Sequence, residues 1–201
     1  GTTPFDVMSQ EVARTPAGAH GLIFLPYMAG ERTPLWNSNA RGVFFGLSYN
    51  TTRGDILRAI MEGNAFAVLH GLRISEAQGV TVREWLGIGG AARSAPWCQI
   101  KADVTGRPFV VARRRDGGEG GHSLGLFAAT ACATAGGATC GAGGSPGDIP
   151  ELVESLLPQR QVYEPSPAAH ALYRELFEVY LEVSAALLPS FDRLAGVGRR
   201  T

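Results

Sequence analysis

The chain has 201 residues, 45% of them hydrophobic, and its 18 basic and 18 acidic side chains cancel. That is enough chain for one sizeable core, and the balanced charge excludes nucleic acid or an anionic membrane as the main partner. No apolar stretch reaches membrane-spanning length, and Cys98, Cys132 and Cys140 are an odd number with no disulfide framework, which points to a reducing cytoplasm. The first residue is Gly1 rather than methionine, as in a piece of a longer protein.

Strands and helices alternate along the chain. Residues 22–25 read as a short apolar strand stopped by Pro26. Residues 30–40 read as a polar loop holding Glu31, Arg32, Pro34 and Trp36, and residues 43–47 as a second strand. Across residues 55–76, Leu57, Ile60, Met61, Ala65, Val68, Leu69 and Leu72 recur at helical spacing, and the helix is expected to end near Gly79. A buried strand over 82–88, a helix after Ser94 and a strand over 108–112 follow. Residues 123–135 read as a helix rich in small side chains and 136–147 as a glycine-dense flexible loop. Leu172, Tyr173, Leu176, Phe177, Tyr180, Leu181, Leu187 and Leu188 mark a long amphipathic helix. Alternation of this kind specifies an α/β domain.

The sharpest local feature is the run from Gly87 through Ile88, Gly89, Gly90, Ala91, Ala92 and Arg93 to Ser94, where an apolar strand stops and a helix starts. Ser94 stands at the N-cap position, Pro96 falls in the first turn, and Gly106 lies where a helix end favours a left-handed residue. Paired glycines in such a turn let backbone approach a ligand closely, and free N–H groups at a helix start favour anions, so a nucleotide is the natural occupant. The turn lacks the lysine of a P-loop, and a merely tight turn is the competing reading.

The rest of the chemical inventory is thin. His20, His70, His122 and His170 lie far apart without metal-ligand spacing, so no metal site is expected. Cys98 beside Trp97 reads as a small core residue rather than a nucleophile, and Asp103 as a surface or ion-paired carboxylate. Arg113, Arg114 and Arg115, followed by Asp116 and Glu119, read as a solvated loop. No Ser/His/Asp set or carboxylate pair declares itself.

Gly42-Val43-Phe44-Phe45-Gly46-Leu47, followed after seven residues by Asp55-Ile56-Leu57-Arg58-Ala59-Ile60-Met61-Glu62, resembles the second signature of the FGGY carbohydrate kinases. Phe24-Leu25-Pro26-Tyr27, Gly30-Glu31-Arg32-Thr33-Pro34 and Asn39-Ala40-Arg41-Gly42 resemble the xylulose kinases of that family. The glycine turn through Ala102-Asp103-Val104 resembles its adenosine motif, and Tyr163-Glu164-Pro165 its C-terminal ending. Ala91 stands where many xylulose kinases have a third glycine, as in glycerol kinases. Leu126 and Phe127 replace a pair of small residues near the interdomain hinge, and Asn64 takes an apolar position.

The resemblance implies a ribonuclease H-like fold of the actin, Hsp70 and sugar kinase superfamily, with a mixed sheet flanked by helices. Residues 1–195 would be the C-terminal, nucleotide-side domain and 196–201 a tail. It implies ATP and Mg²⁺ as cofactors, Gly89 and Gly90 against the nucleotide phosphates, and Ala91 to Ser94 near the adenosine. The catalytic aspartate and most contacts to the sugar or polyol are expected upstream of this chain, so neither Asp55 nor Asp103 is assigned as the base. The resemblance favours a D-xylulose-like ketopentose as acceptor and is compatible with a homodimer. The alternatives are a kinase for glycerol, ribulose, erythritol or gluconate, or a non-catalytic nucleotide-binding or assembly module on the same fold.

Overall fold

The computed structural model describes residues 2–113 and 159–198. The helix expected over 123–135 and the loop over 136–147, with Leu126, Phe127, His122, Cys132 and Cys140, lie outside the described residues.

Two helices begin with the same device. Thr3 caps α1 (Pro4–Arg14) and Thr52 caps α2 (Arg53–Ala77), and in each the carboxylate three residues on, Asp6 or Asp55, accepts the N–H of the capping threonine at 2.8 Å. The second box starts α2 two residues ahead of the position that apolar periodicity gives. α1 has no counterpart in the periodicity because only Val12 is buried along it.

Strands β1 (Ile23–Leu25) and β2 (Val43–Phe45) pair antiparallel, with Ile23 opposite Phe45 and Leu25 opposite Val43. α2 lies directly on β1. A Cβ at Gly63 would run into the carbonyl oxygen of Phe24, so the mid-helix glycine is what allows the close approach. A separate sheet of β3 (Trp85–Gly87), β4 (Phe109–Arg113) and β5 (Gln159–Tyr163) is mixed: β3 runs parallel to β4 and β5 antiparallel. α3 (Ala95–Thr105) is the crossover that parallel pairing of β3 and β4 requires. The strand expected over 82–88 shrinks to three residues. Its partner ladder starts only at Phe109, and Arg107 Nε already donates to the Val82 carbonyl at 2.6 Å.

The last helix, α4 (Pro167–Gly198), runs through residue 196 and closes the main core. Ile23, Leu25 and Tyr27 meet Phe66 and Leu69 of α2, Ile100 and Val104 of α3, and Tyr173, Phe177 and Tyr180 of α4. Two polar clusters pin that core. Arg58 Nε donates to Glu62 Oε1 at 2.6 Å and its Nη2 to Tyr173 Oη at 2.8 Å, while Tyr173 donates to the same Glu62 oxygen at 2.6 Å. Arg58 Nη1 reaches the carbonyls of Val12 and Thr15, and the Gly18 N–H completes Glu62 at 3.0 Å. On the other side, the Tyr27 hydroxyl bridges Tyr180 at 2.8 Å and Ser184 at 3.0 Å. A smaller core of Ala92, Cys98, Ala102, Phe109, Val111 and Tyr163 underlies the β3–α3–β4–β5 unit.

Candidate functional site

The glycine turn has a packed side and an open side. Gly87 ends β3 facing inward, where a Cβ would enter the Phe109 ring. Gly89 then adopts φ 76°, ψ −169°, a region open essentially to glycine alone. Gly90–Arg93 form one 3₁₀ turn, in which the Ala92 N–H bonds Gly89 O at 3.1 Å and the Ser94 N–H bonds Ala91 O at 3.2 Å. Ala92 faces inward, and the buried Cys98 thiol donates to its carbonyl at 3.5 Å. Cys98 is thus the core residue the sequence suggested. On the opposite side a Cβ at Gly89 or Gly90 would meet nothing within 4 Å.

Ser94 occupies the N-cap position of α3, and its carbonyl accepts the Cys98 N–H at 3.0 Å. Its hydroxyl does not cap the helix. It bonds Ser9 Oγ of α1 at 2.9 Å instead. Gly106, with φ 65°, closes α3 in the left-handed conformation that the sequence called for. Between α1 and the start of α3 lies an open cleft of about 690 Å³, walled by Thr2, Asp6, Ser9 and Gln10 on one side and Arg93, Ser94, Ala95 and Pro96 on the other. Of the four residues singled out from sequence, Ser94 lines this cleft. Gly89, Gly90 and Ala91 belong to the same turn but are not among its walls.

Sequence reasoning missed the α1 wall. The signal was present as Thr3-Pro4-Phe5-Asp6, a threonine and a carboxylate at capping-box spacing with proline at the first helical position.

The carboxylates close to these elements are committed to structure. The Thr3 N–H and hydroxyl both donate to Asp6 at 2.8 Å and hold its carboxyl below the ordinary value. Burial pushes Asp55 upward, but the Thr52 N–H, the Thr52 hydroxyl and His20 outweigh it and leave the carboxyl lowered. Among the described residues, Asp103 is neither the surface nor the ion-paired carboxylate expected. It is buried, with Oδ1 accepting from Gln99 Nε2 at 2.9 Å and from the Ser166 N–H at 2.8 Å, so it anchors the entry to α4. None of the three is assigned as a general base. Lys101, the single lysine of the chain, lies over the rings of Trp97 and Phe109 at 4.7 and 5.1 Å and joins α3 to β4. Loop residues Asn37 and Asn39 donate to Asp192 of α4 at 3.3 and 2.9 Å, which fixes the polar loop around Glu31 and Arg32. Among the described residues no three His, Cys, Asp or Glu side chains gather closely enough to hold a metal ion, and no helix is long and apolar enough to cross a membrane.

A mixed sheet, a crossover helix and an open glycine turn at the head of that helix make an α/β domain with a candidate nucleotide turn. The chain belongs to the FGGY family of carbohydrate kinases: residues 4–139 match that family's C-terminal domain. A xylulose kinase of Staphylococcus epidermidis is 32% identical over 176 residues, covering 88% of this chain and 33% of the relative. A gluconokinase of Bacillus licheniformis is 30% identical over 203 residues, covering 99% of this chain and 36% of the relative. The crystal structure of xylulose kinase from Rhodospirillum rubrum has a TM-score of 0.71 at 30% identity, over 94% of this chain and 35% of that one. The expected fold is borne out, and the chain spans about a third of the length of these relatives.

Proposed function

We propose that the protein to which this chain belongs transfers a phosphoryl group from ATP, with Mg²⁺, to a hydroxyl of a sugar or polyol in the cytoplasm. In this reading residues 1–195 are the nucleotide-side domain and 196–201 its tail, with a homodimer as the assembly to test. Gly89 and Gly90 would admit the nucleotide phosphates to the backbone, with Ala91 to Ser94 beside the adenosine. The observation that carries it is the open side of the turn, where neither glycine has a neighbour that a ligand must displace. ATP supplies the phosphoryl group when bound, and Mg²⁺ neutralises its charge.

The chain's own part is to bind and orient. The turn is packed on its buried side through Ala92 and Cys98, and Asp6, Asp55 and Asp103 take part in structural hydrogen bonds. By the chain's likeness to the family, the base that takes the sugar proton and most sugar contacts are assigned to residues upstream of this chain. Isolated, the chain is expected to bind adenine nucleotide weakly and to phosphorylate no sugar.

Gly90→Val tests the turn. Gly90 lies outside the left-handed region and its surroundings are open, so valine leaves the fold intact while occupying the ligand's path. Calorimetric titration with ADP should show binding lost, and equal affinities in the two proteins would overturn the assignment.

For the acceptor, a D-xylulose-like ketopentose is favoured by the similarity to xylulose kinases of Staphylococcus epidermidis and Rhodospirillum rubrum. Gluconate is the second reading, because the gluconokinase of Bacillus licheniformis matches 99% of the chain. Discrimination between such acceptors depends on hydrogen bonds to individual hydroxyls. Steady-state kinetics on the full-length protein should give the highest kcat/KM for D-xylulose. A higher value for gluconate, glycerol or erythritol would replace the acceptor and leave the kinase assignment standing.

A further inference from the structure

Helix α1 is held firmly at one end only. At its C-terminal end Val12 is fully buried, Arg58 Nη1 donates to the carbonyls of Val12 at 3.1 Å and Thr15 at 2.8 Å, and Glu11 pairs with Arg53. Its N-terminal half lies on the surface, with Phe5 77% exposed. Among the described residues, one hydrogen bond links residues 2–10 to another element: Ser9 Oγ to Ser94 Oγ, 2.9 Å. Asp6 and Gln10, which share the cleft wall with Ser9, have no such link of their own among the described residues. Asp6 stands six residues from the Val12 anchor, about 9 Å along the helix axis.

The far end of this bond is equally specific. A serine at an N-cap ordinarily turns its hydroxyl to the N–H groups of the first helical turn. Ser94 forgoes that bond, although its carbonyl is already in the helical pattern through Cys98, and points to α1 instead. Losing Ser9 would therefore leave the Ser94 hydroxyl a ready alternative partner on its own helix. The helix would keep its start and the cleft would lose its brace.

We propose that Ser9 is a positioning residue for nucleotide binding: through Ser94 it sets the spacing between α1 and the turn that carries Gly89 and Gly90. This rests on the reading of the turn as a nucleotide site. Ser9 acts through Ser94 and the placement of α1.

The test is ADP titration into the 201-residue chain and its Ser9→Ala, Ser9→Thr, Ser94→Ala and Gly90→Val variants, with a thermal melt of each. Ser9→Ala should weaken ADP binding by about fivefold, the scale of one neutral hydrogen bond, with its melting temperature within about 2 °C of the parent. Ser9→Thr, which keeps a hydroxyl, should bind within twofold of the parent, and the Ser9→Ala/Ser94→Ala pair no more weakly than either single change. Parent-like binding by Ser9→Ala, or failure of Ser9→Thr to restore it, while Gly90→Val has lost ADP, would overturn the positioning role and leave the site intact. Unchanged binding by Gly90→Val would remove the site and the proposal with it.

Discussion

The two cores of this domain are built on different principles. The larger one, around β1, α2 and α4, is fixed by buried polar groups that each hold several partners: Arg58 has four acceptors, and the Tyr27 hydroxyl has two neighbours. The smaller one, beneath β3, α3, β4 and β5, is apolar and ends in a turn where a side chain at either outer glycine would meet open space. Networks of this kind tie distant segments together because every member is satisfied only in one arrangement. A turn meant to meet a ligand has the opposite need, since any side chain that fixed it from outside would stand where the ligand goes. Rigidity and access are thus separated in space, and mutation should separate them too.

The largest effect is expected in the first region. Arg58→Met would leave Glu62 buried without its cation and free the carbonyls of Val12 and Thr15, at a cost of about 3–5 kcal/mol. Chemical denaturation should show this as a lower midpoint. Glu62→Gln should cost less, because burial already pushes that carboxyl above its ordinary value and favours a neutral side chain. If the two variants lose the same stability, the network is not organised around the arginine.

Next comes the contact between α2 and β1. Gly63→Ala drives a methyl group into the Phe24 carbonyl, which is backbone and cannot swing aside. A loss of about 1–3 kcal/mol is expected, measurable as a fall in melting temperature. By contrast, Gly90→Ala in the second region should stay within about 0.5 kcal/mol of the parent, since its added methyl meets open space. Similar losses at the two glycines would contradict the division into a closed and an open region.

A smaller effect sharpens the comparison through pH. The Asp55 carboxyl is lowered in the fold, so its stabilisation is present above the ordinary 3.8 and is lost as pH falls through the depressed value. Asp55→Asn should therefore reduce stability near neutrality and flatten the acid limb of a stability–pH curve. An unchanged acid limb would show that the Thr52 cap and His20 do not act through the charge of Asp55.

What could be read from sequence follows from how local each cause is. α3 was legible because its start, its first-turn proline and its closing Gly106 lie within twelve residues of Ser94. α2 was legible from its apolar face, and the Thr52–Asp55 box only corrects its first turn. α1 escaped because Phe5, Val7 and Met8 face outward, so its apolar residues follow no core. β5 escaped because Gln159–Tyr163 is a strand only by virtue of pairing with β4, some fifty residues earlier in the chain. At the site, the glycines announced a close approach, whereas the diversion of Ser94 from capping depends on Ser9, 85 residues away. Asp103 was misjudged for the same reason: its partner Ser166 arrives from the far end of the chain.

The grip of Arg58 on α1 has a consequence for how this domain can change over time. Arg58 touches that helix through the carbonyl oxygens of Val12 and Thr15, groups that every amino acid carries. The instruction that docks α1 is therefore written in α2, and what it reads is the course of the main chain rather than the identity of the side chains along it. Most positions of α1 are free to drift so long as the helix forms, Val12 stays apolar and Ser9 keeps its hydroxyl. The wall of the cleft around Ser9 can then be reworded, residue by residue, on a mount anchored at its C-terminal end.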